Sequence, residues 1–315
     1  MKNLNLLTVV LLGFILFSCD EETVEIPFTI EGITTENYPK VDASTAAAPL
    51  QNLIACKLLG FRYNWEQAFD GTYTIYPNWE DIPANFDYFE RIKTSKTHDA
   101  IMNIIDKKVD FILSVRKMSG DEQAHAEEQG VTLIETPVAL DAFIFIVNRS
   151  NPIKSLTIKQ IQDIYTGDLT NWKEVGGKDA QINPYVRNAN SGSQELMESL
   201  VMKGLKIKDL PEESMLGGMM PVFSTVMTDV NSICYSLYYY NAQMVKENIA
   251  KAIAVDRVTP DKNTIKKRTY PFTAEVYAVI RSDLDKSSMA YKIYESLQSA
   301  AGKHLIDESG YVSLQ

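Results

Sequence analysis

Cysteine and histidine are nearly absent, three of each in 315 residues. No C-x-x-C or H-x-x-H pair occurs, so neither a metal site nor a disulfide framework is expected. His98, His125 and His304 lack the spacing of a triad, and no G-x-S-x-G elbow marks a nucleophilic serine. The chain is therefore not expected to be an enzyme, and no cofactor is expected. Positive charge is short as well. Lys and Arg number 31 against 41 Asp and Glu, a formal net charge of −10, which argues against nucleic acid or anionic lipid as the main partner. A few donors placed in a cleft can still hold an anion on such a chain. No internal repeat or low-complexity block is visible. Composition is that of a globular protein, with 45% hydrophobic and 23% charged residues.

One long hydrophobic run is present, and it sits at the N-terminus. Lys2 supplies a positive start, Leu6 to Phe17 an apolar region, and Ser18-Cys19 a small-residue cleavage point. The pattern is that of a secretory signal, too short and too weakly flanked for a spanning helix. Leu16-Phe17-Ser18-Cys19 resembles a bacterial lipobox. The expectation is a signal over residues 1–18, a lipidated Cys19 and an acidic tether over residues 19–27 (CDEETVEIP). An acidic run in that place resembles a signal for export to the outer membrane's outer face. Only Cys56 and Cys234 then remain, in the apolar settings LIACKLL and SICYSL, and buried thiols are expected there.

The rest alternates strands and helices. FTIEGITT looks extended, APLQNLIACKLLGF and THDAIMNIIDKKV carry helical spacing, and VDFILSV is a buried strand. VTLIETPVALDAFIFIVN reads as strands, TIKQIQDIYTG as a helix, QINPYVR as a strand and QELMESLVMKG as a helix. EVYAVIR is a further strand, and SSMAYKIYESLQSAAGKHLI a final helix. Strands separated by helices imply βαβ units around largely parallel sheets. At roughly 100–200 residues per domain the length allows two α/β lobes. The aromatic, proline-bearing stretch around 73–89, YTIYPNWEDIPANFDYF, is expected as a loop packed over one lobe.

An anion site is suggested by RNANSGSQELMESL, residues 187–200. Glu195 and Glu198 alternate with Leu196, Met197 and Leu200, so a helix is expected to begin near Ser193. A helix start offers unpaired N–H groups and partial positive charge to an oxyanion. Ser191 and Ser193 add hydroxyls, Gly192 permits close backbone approach, and Arg187 brings a two-pronged donor. A simple cap and a surface ion pair would explain the same residues. Similar chemistry recurs, however, at Ser44-Thr45 after a predicted strand, at Thr97 as a natural N-cap, and at Ser114 and Arg116. Their joint occurrence favours one cleft beyond the strand ends.

At this point a resemblance takes over. Residues 139–177, ALDAFIFIVNRSNPIKSLTIKQIQDIYTGDLTNWKEVGG, resemble the phosphate-binding (PstS-like) family of ABC-importer periplasmic proteins. Arg187-x-x-x-Ser191-Gly192-Ser193 is similar to that family's R-x-x-x-S-G-T motif. ASTAAAPL resembles its first anion loop, KVDFILSVRKMS its VDI..SSR.LS segment, and ESGYVSL its closing GYVPL. The resemblance implies a two-lobed α/β periplasmic-binding-protein fold of type II. Residues 28–139 with 268–315 would form one lobe and 140–267 the other. The crossings would lie near 136–142 and 269–274, with no one sheet running through both lobes.

The resemblance further implies ligand contacts from Thr45, Thr97, Ser114, Arg116, Arg187, Ser191, Gly192 and Ser193. The chain would be a lipid-anchored, extracytoplasmic protein of the cell envelope, capturing phosphate or a similar tetrahedral oxyanion for an ABC permease. Its alternative is a surface or scaffold lipoprotein that keeps the fold without transport, with the tyrosines of CYSLYYYN as a partner surface or as core. Two departures stand out. The family's glycine-rich loop is here Ser95-Lys96-Thr97-His98-Asp99, and an aspartate that some members carry after the first serine is Val115.

Overall fold

A run such as VALDAFIFIV has no polar face, so both faces of the strand it forms must be covered. The computed structural model describes residues 26–245 and 249–314; the expected signal and Cys19 lie outside the described residues. In it Leu133–Asn148 is one uninterrupted strand of 16 residues, roughly 50 Å long at about 3.3 Å per residue. Every residue from 138 to 147 is buried.

This strand changes partners at Ala142/Phe143. Up to Ala142 it pairs antiparallel with Thr273–Arg281, and Val312–Ser313 lies against Leu140 and Ala139. From Phe143 onward it pairs antiparallel with Ser232–Leu237, with Ala250–Ala252 alongside. Outside these pairs the order becomes parallel. Val41–Ala43 runs with Phe111–Ser114 in the first half, and Asn183–Pro184 with Ser232 and Ile233 in the second. The chain returns to the first half just before Thr273, where Phe143 N–H donates to Phe272 O at 2.9 Å.

Two expectations are corrected here. The central pairs are antiparallel rather than parallel, because the chain leaves one half on one strand and comes back beside it on another. A single hydrogen-bonded ladder also runs through both halves. The crossing segment is itself a strand, which satisfies backbone groups that an irregular crossing at this depth would leave unpaired.

Helices occupy the expected segments with local differences, and two more, Gly120–Glu128 and Met219–Thr228, lie where none was expected. Ala48–Leu59 carries Pro49 in its first turn and stops at Gly60, φ 73°. Ile158–Thr166 has the reciprocal cap of Thr157 and Gln160 and ends on Gly167, φ 95°. The final helix is two, Met289–Ser296 and Ala300–Glu308, because Ser299 caps the second by accepting from Gly302 N. FTIEGITT is not extended: Ile33 N–H bonds Ile30 O, and Asn37 clamps the turn through Thr34 N and Gly32 O. The 73–89 stretch is only partly a loop. Tyr73–Pro77 is a strand of a hairpin with Tyr63–Gln67, fastened to the first long helix by Asn52 Nδ2 donating to Ile75 O at 2.7 Å.

Cys56 and Cys234 are free and buried, and burial pushes the Cys56 thiol up to about 12. Tyr235, Tyr239 and Tyr240 are also core, each about 1% exposed. Tyr239 stacks on Tyr311 at 3.7 Å between ring centres. Tyr238 is half-buried, and the other three tyrosines therefore offer no partner surface.

Candidate functional site

The parallel pair Val41–Ala43 and Phe111–Ser114 ends at one edge of the sheet, and the site begins there. Ser44 N donates to Leu113 O at 2.9 Å, and Ser44 Oγ accepts from Val115 N at 3.2 Å. Thr45 opens the short 3-10 turn Thr45–Ala47. Asp42, fully buried, pins the neighbouring loop: its Oδ1 accepts from Ala43 N and Ser95 N, its Oδ2 from Asn103 Nδ2, all at 2.8 Å. That loop leads into helix Lys96–Ile105 through Lys96 at φ 71°. Thr97 is thus inside the helix rather than its N-cap, a position held by Ser95.

The second half supplies the facing wall. Strand Val186–Arg187 is followed by Asn190 at φ 65° and by Ser191, whose Oγ accepts from Gln194 N at 3.0 Å. Ser191 is therefore a true cap, and helix Gly192–Leu196 starts one residue earlier than expected. A Cβ on Gly192 would lie 2.5 Å from Thr97 Oγ1 and 3.1 Å from Val115 Cγ2. The two walls meet at this glycine, and only the absence of a side chain allows it.

Between them lies a cavity of about 240 Å³, below the roughly 300–1,000 Å³ that accommodates drug-sized ligands. Thr45, Thr97, Arg187, Ser191, Gly192 and Ser193 all line it. Ser114 and Arg116 do not. Ser114 Oγ is buried and donates to Arg116 O at 2.6 Å. The Arg116 guanidinium forks onto buried Glu122 at 2.7 and 2.8 Å, with a further bond to Lys117 O. The expectation of ligand contact from these two residues is corrected on that ground: Glu122 already takes the arginine's charge. Val115, His98, Asp99, Gly218 and Met219 are on the wall as well. Of these, only Val115 and the altered 95–99 loop were signalled by sequence.

Arg187 is the electrostatic centre. It is 7% exposed, and its backbone N–H is shared by Tyr235 Oη at 2.9 Å and Gln194 Oε1 at 3.1 Å. Its Nε donates to Leu216 O at 2.9 Å, and Nη1 lies 3.0 Å from the Met219 sulfur. Ser193 Oγ points at the same sulfur from 3.5 Å. A thioether is a weak acceptor. Among the described residues no carboxylate is within ion-pair distance of Arg187. Burial pulls its guanidinium below the usual value. A buried cation without a counter-ion is costly, and this one borders an open, donor-lined space. Among the described residues no cluster of His, Cys, Asp or Glu is placed to hold a metal, and no helix is long and apolar enough to cross a membrane.

Two α/β halves sharing one long strand, with a small donor-lined cavity between their strand ends, define a two-lobed solute-binding protein of type II fold. The chain belongs to the PBP superfamily, whose domain matches residues 80–292. It is similar to "Phosphate-binding protein PstS" of Borreliella burgdorferi, 26% identical over 257 residues, covering 78% of this chain and 88% of the relative. Its fold is shared by a substrate-binding protein from Clostridium perfringens solved with bound phosphate, at TM-score 0.63 and 22% identity over 87% of this chain and 98% of that one. An ABC-type phosphate transport receptor from Vibrio cholerae gives TM-score 0.58 and 22% identity, covering 89% and 99%. These relatives are binding proteins and receptors rather than enzymes.

Proposed function

We propose that the chain is an extracytoplasmic, lipid-anchored solute-binding protein that captures inorganic phosphate for an ABC importer. The observation that carries this reading is Arg187, buried without a carboxylate and bordering a small cavity rich in hydroxyl and backbone donors. A tetrahedral oxyanion of small size and high charge supplies the missing counter-ion. Thr45 and Thr97 reach it from one lobe, and Arg187, Ser191, Gly192 and Ser193 from the other. The phosphate-binding names of the relatives support the choice of phosphate.

The lobes in this reading are residues 28–139 with 268–315, and 140–267. The exchange of strand partners at Ala142/Phe143 supports that division. Lipid on Cys19 would hold the folded part at the envelope membrane by way of the acidic tether. Calorimetric titration with phosphate, sulfate, molybdate and a carboxylate tests the central claim. Heat with phosphate is expected. No heat with any tetrahedral anion, from a protein with a folded circular-dichroism spectrum, would favour the scaffold alternative instead.

A further inference from the structure

Glu122 is fully buried, and its two carboxylate oxygens are surrounded by donors. Oε2 accepts from Arg116 Nη1 at 2.7 Å and from Ser119 N at 2.8 Å. Oε1 accepts from Arg116 Nη2 at 2.8 Å and lies 2.8 Å from His98 Nδ1. Burial works against its charge, but the hydrogen bonds and charge of Arg116 outweigh it and hold the carboxyl below the usual range. An ionised carboxylate is an acceptor only, so Nδ1 of His98 must carry a hydrogen. That fixes the neutral ring as the Nδ1–H tautomer, and its Nε2 then bears a lone pair. Nε2 has no hydrogen-bond partner among the described residues, and His98 stands on the cavity wall with its side chain 30% exposed.

The consequence concerns discrimination between anions of one shape. Near neutral pH hydrogen phosphate keeps a proton that sulfate lacks. A wall made of donors alone treats the two alike. An acceptor on the wall rewards the protonated anion and sets a lone pair against an oxygen of the other. Val115 has no polar side-chain atom to offer, and Asp99, the only carboxylate on the wall among the described residues, is exposed.

We propose that His98 is the acceptor that reads the ligand's proton, making it the residue that selects phosphate over sulfate, with Glu122 and Arg116 as positioning residues. This rests on the phosphate reading above and adds to it where the selectivity resides.

The test is calorimetric titration of the purified protein and its variants with phosphate and with sulfate near neutral pH. His98→Phe should lower the phosphate-to-sulfate affinity ratio at least about tenfold, since one hydrogen bond to a charged partner is at stake. His98→Gln, which keeps a carbonyl acceptor, should retain part of the ratio. Glu122→Gln should lower the same ratio by releasing the tautomer, an effect that loss of packing alone, felt equally by both anions, does not produce. An unchanged ratio in His98→Phe overturns the proposal. Loss of selectivity in Asp99→Asn but not in His98→Phe overturns it too, by moving the role to Asp99. A parent that binds both anions equally refutes the selectivity argument while leaving oxyanion capture intact, whereas a parent that binds neither defeats both.

Discussion

Replacing Arg187 by Met should move stability and binding in opposite directions. Arg187 is 7% exposed with no carboxylate in reach among the described residues. Desolvation of an ion costs several kcal/mol in a folded protein. Against this stand its own bonds, of which the Nε contact to Leu216 O at 2.9 Å is the well-formed one, worth about 1.5–3 kcal/mol for a charged donor. Met keeps the stem's apolar volume and removes the charge. The ligand-free variant should therefore be as stable as the parent or more so. Binding should suffer, because at least one charge-assisted contact to the anion is lost. At about 1.5–3 kcal/mol, and 1.4 kcal/mol per decade, affinity should fall about 10- to 150-fold.

Urea unfolding with and without phosphate reads both effects at once. At a phosphate concentration about 100 times its dissociation constant the parent gains about 2.7 kcal/mol. At the same concentration the variant should gain only about 0.3–1.4 kcal/mol. A ligand-free variant weakened by more than about 2 kcal/mol would mean that the protein itself already neutralises Arg187. An undiminished gain with phosphate would remove Arg187 from the site.

Burial pushes the Asp141 carboxyl from its ordinary 3.8 up to about 7, so between those values the folded chain holds a proton that the unfolded chain has released. Stability should fall as pH rises through that window, and Asp141→Asn should flatten the slope in denaturant melts at acid and neutral pH; an unaltered slope refutes the assignment. Gly192→Ala puts a methyl 2.5 Å from Thr97 Oγ1 and should wedge the walls apart. Phosphate affinity should drop about tenfold or more and small-angle scattering should show a wider molecule with ligand; parent-like affinity would mean the walls need not close. Cys19→Ser should shift the protein from the membrane fraction to soluble or unprocessed material, and unchanged partition with unchanged processing would place any anchor elsewhere.

Much of the site was legible because its chemistry is local. Arg187, Ser191, Gly192 and Ser193 run from the end of one strand to the start of the next helix, and the cap formed by Ser191 on Gln194 N is a contact between near neighbours. Thr45 could be read the same way, at a strand-to-helix switch, whereas Thr97 was read as an N-cap and the structure gives that place to Ser95. Arg116 could not. Its charge looks available in the sequence, and only the fold brings Glu122 beneath it, in the first turn of helix Gly120–Glu128 with its own reciprocal cap on Ser119. The 95–99 loop stood out in the sequence but the role of His98 within it did not, since the meaning of its ring depends on which carboxylate faces Nδ1.

The sequence by itself marked the helices near 48–59, 96–105 and 158–166, the buried character of 138–147, and which turns carry hydroxyl and backbone donors, but not the strand Ser232–Leu237 or the helices Gly120–Glu128 and Met219–Thr228. The marked features follow from hydrophobic runs and from side chains acting on their own backbone. Tertiary structure decided which charges are already spent, where the two walls touch, and that one strand serves both halves. Those depend on how the chain turns back on itself, over six residues for Arg116 and Glu122 and over far longer spans for the two walls. A charge or hydroxyl becomes available to a ligand only when no nearer group, brought up by the fold, has claimed it first.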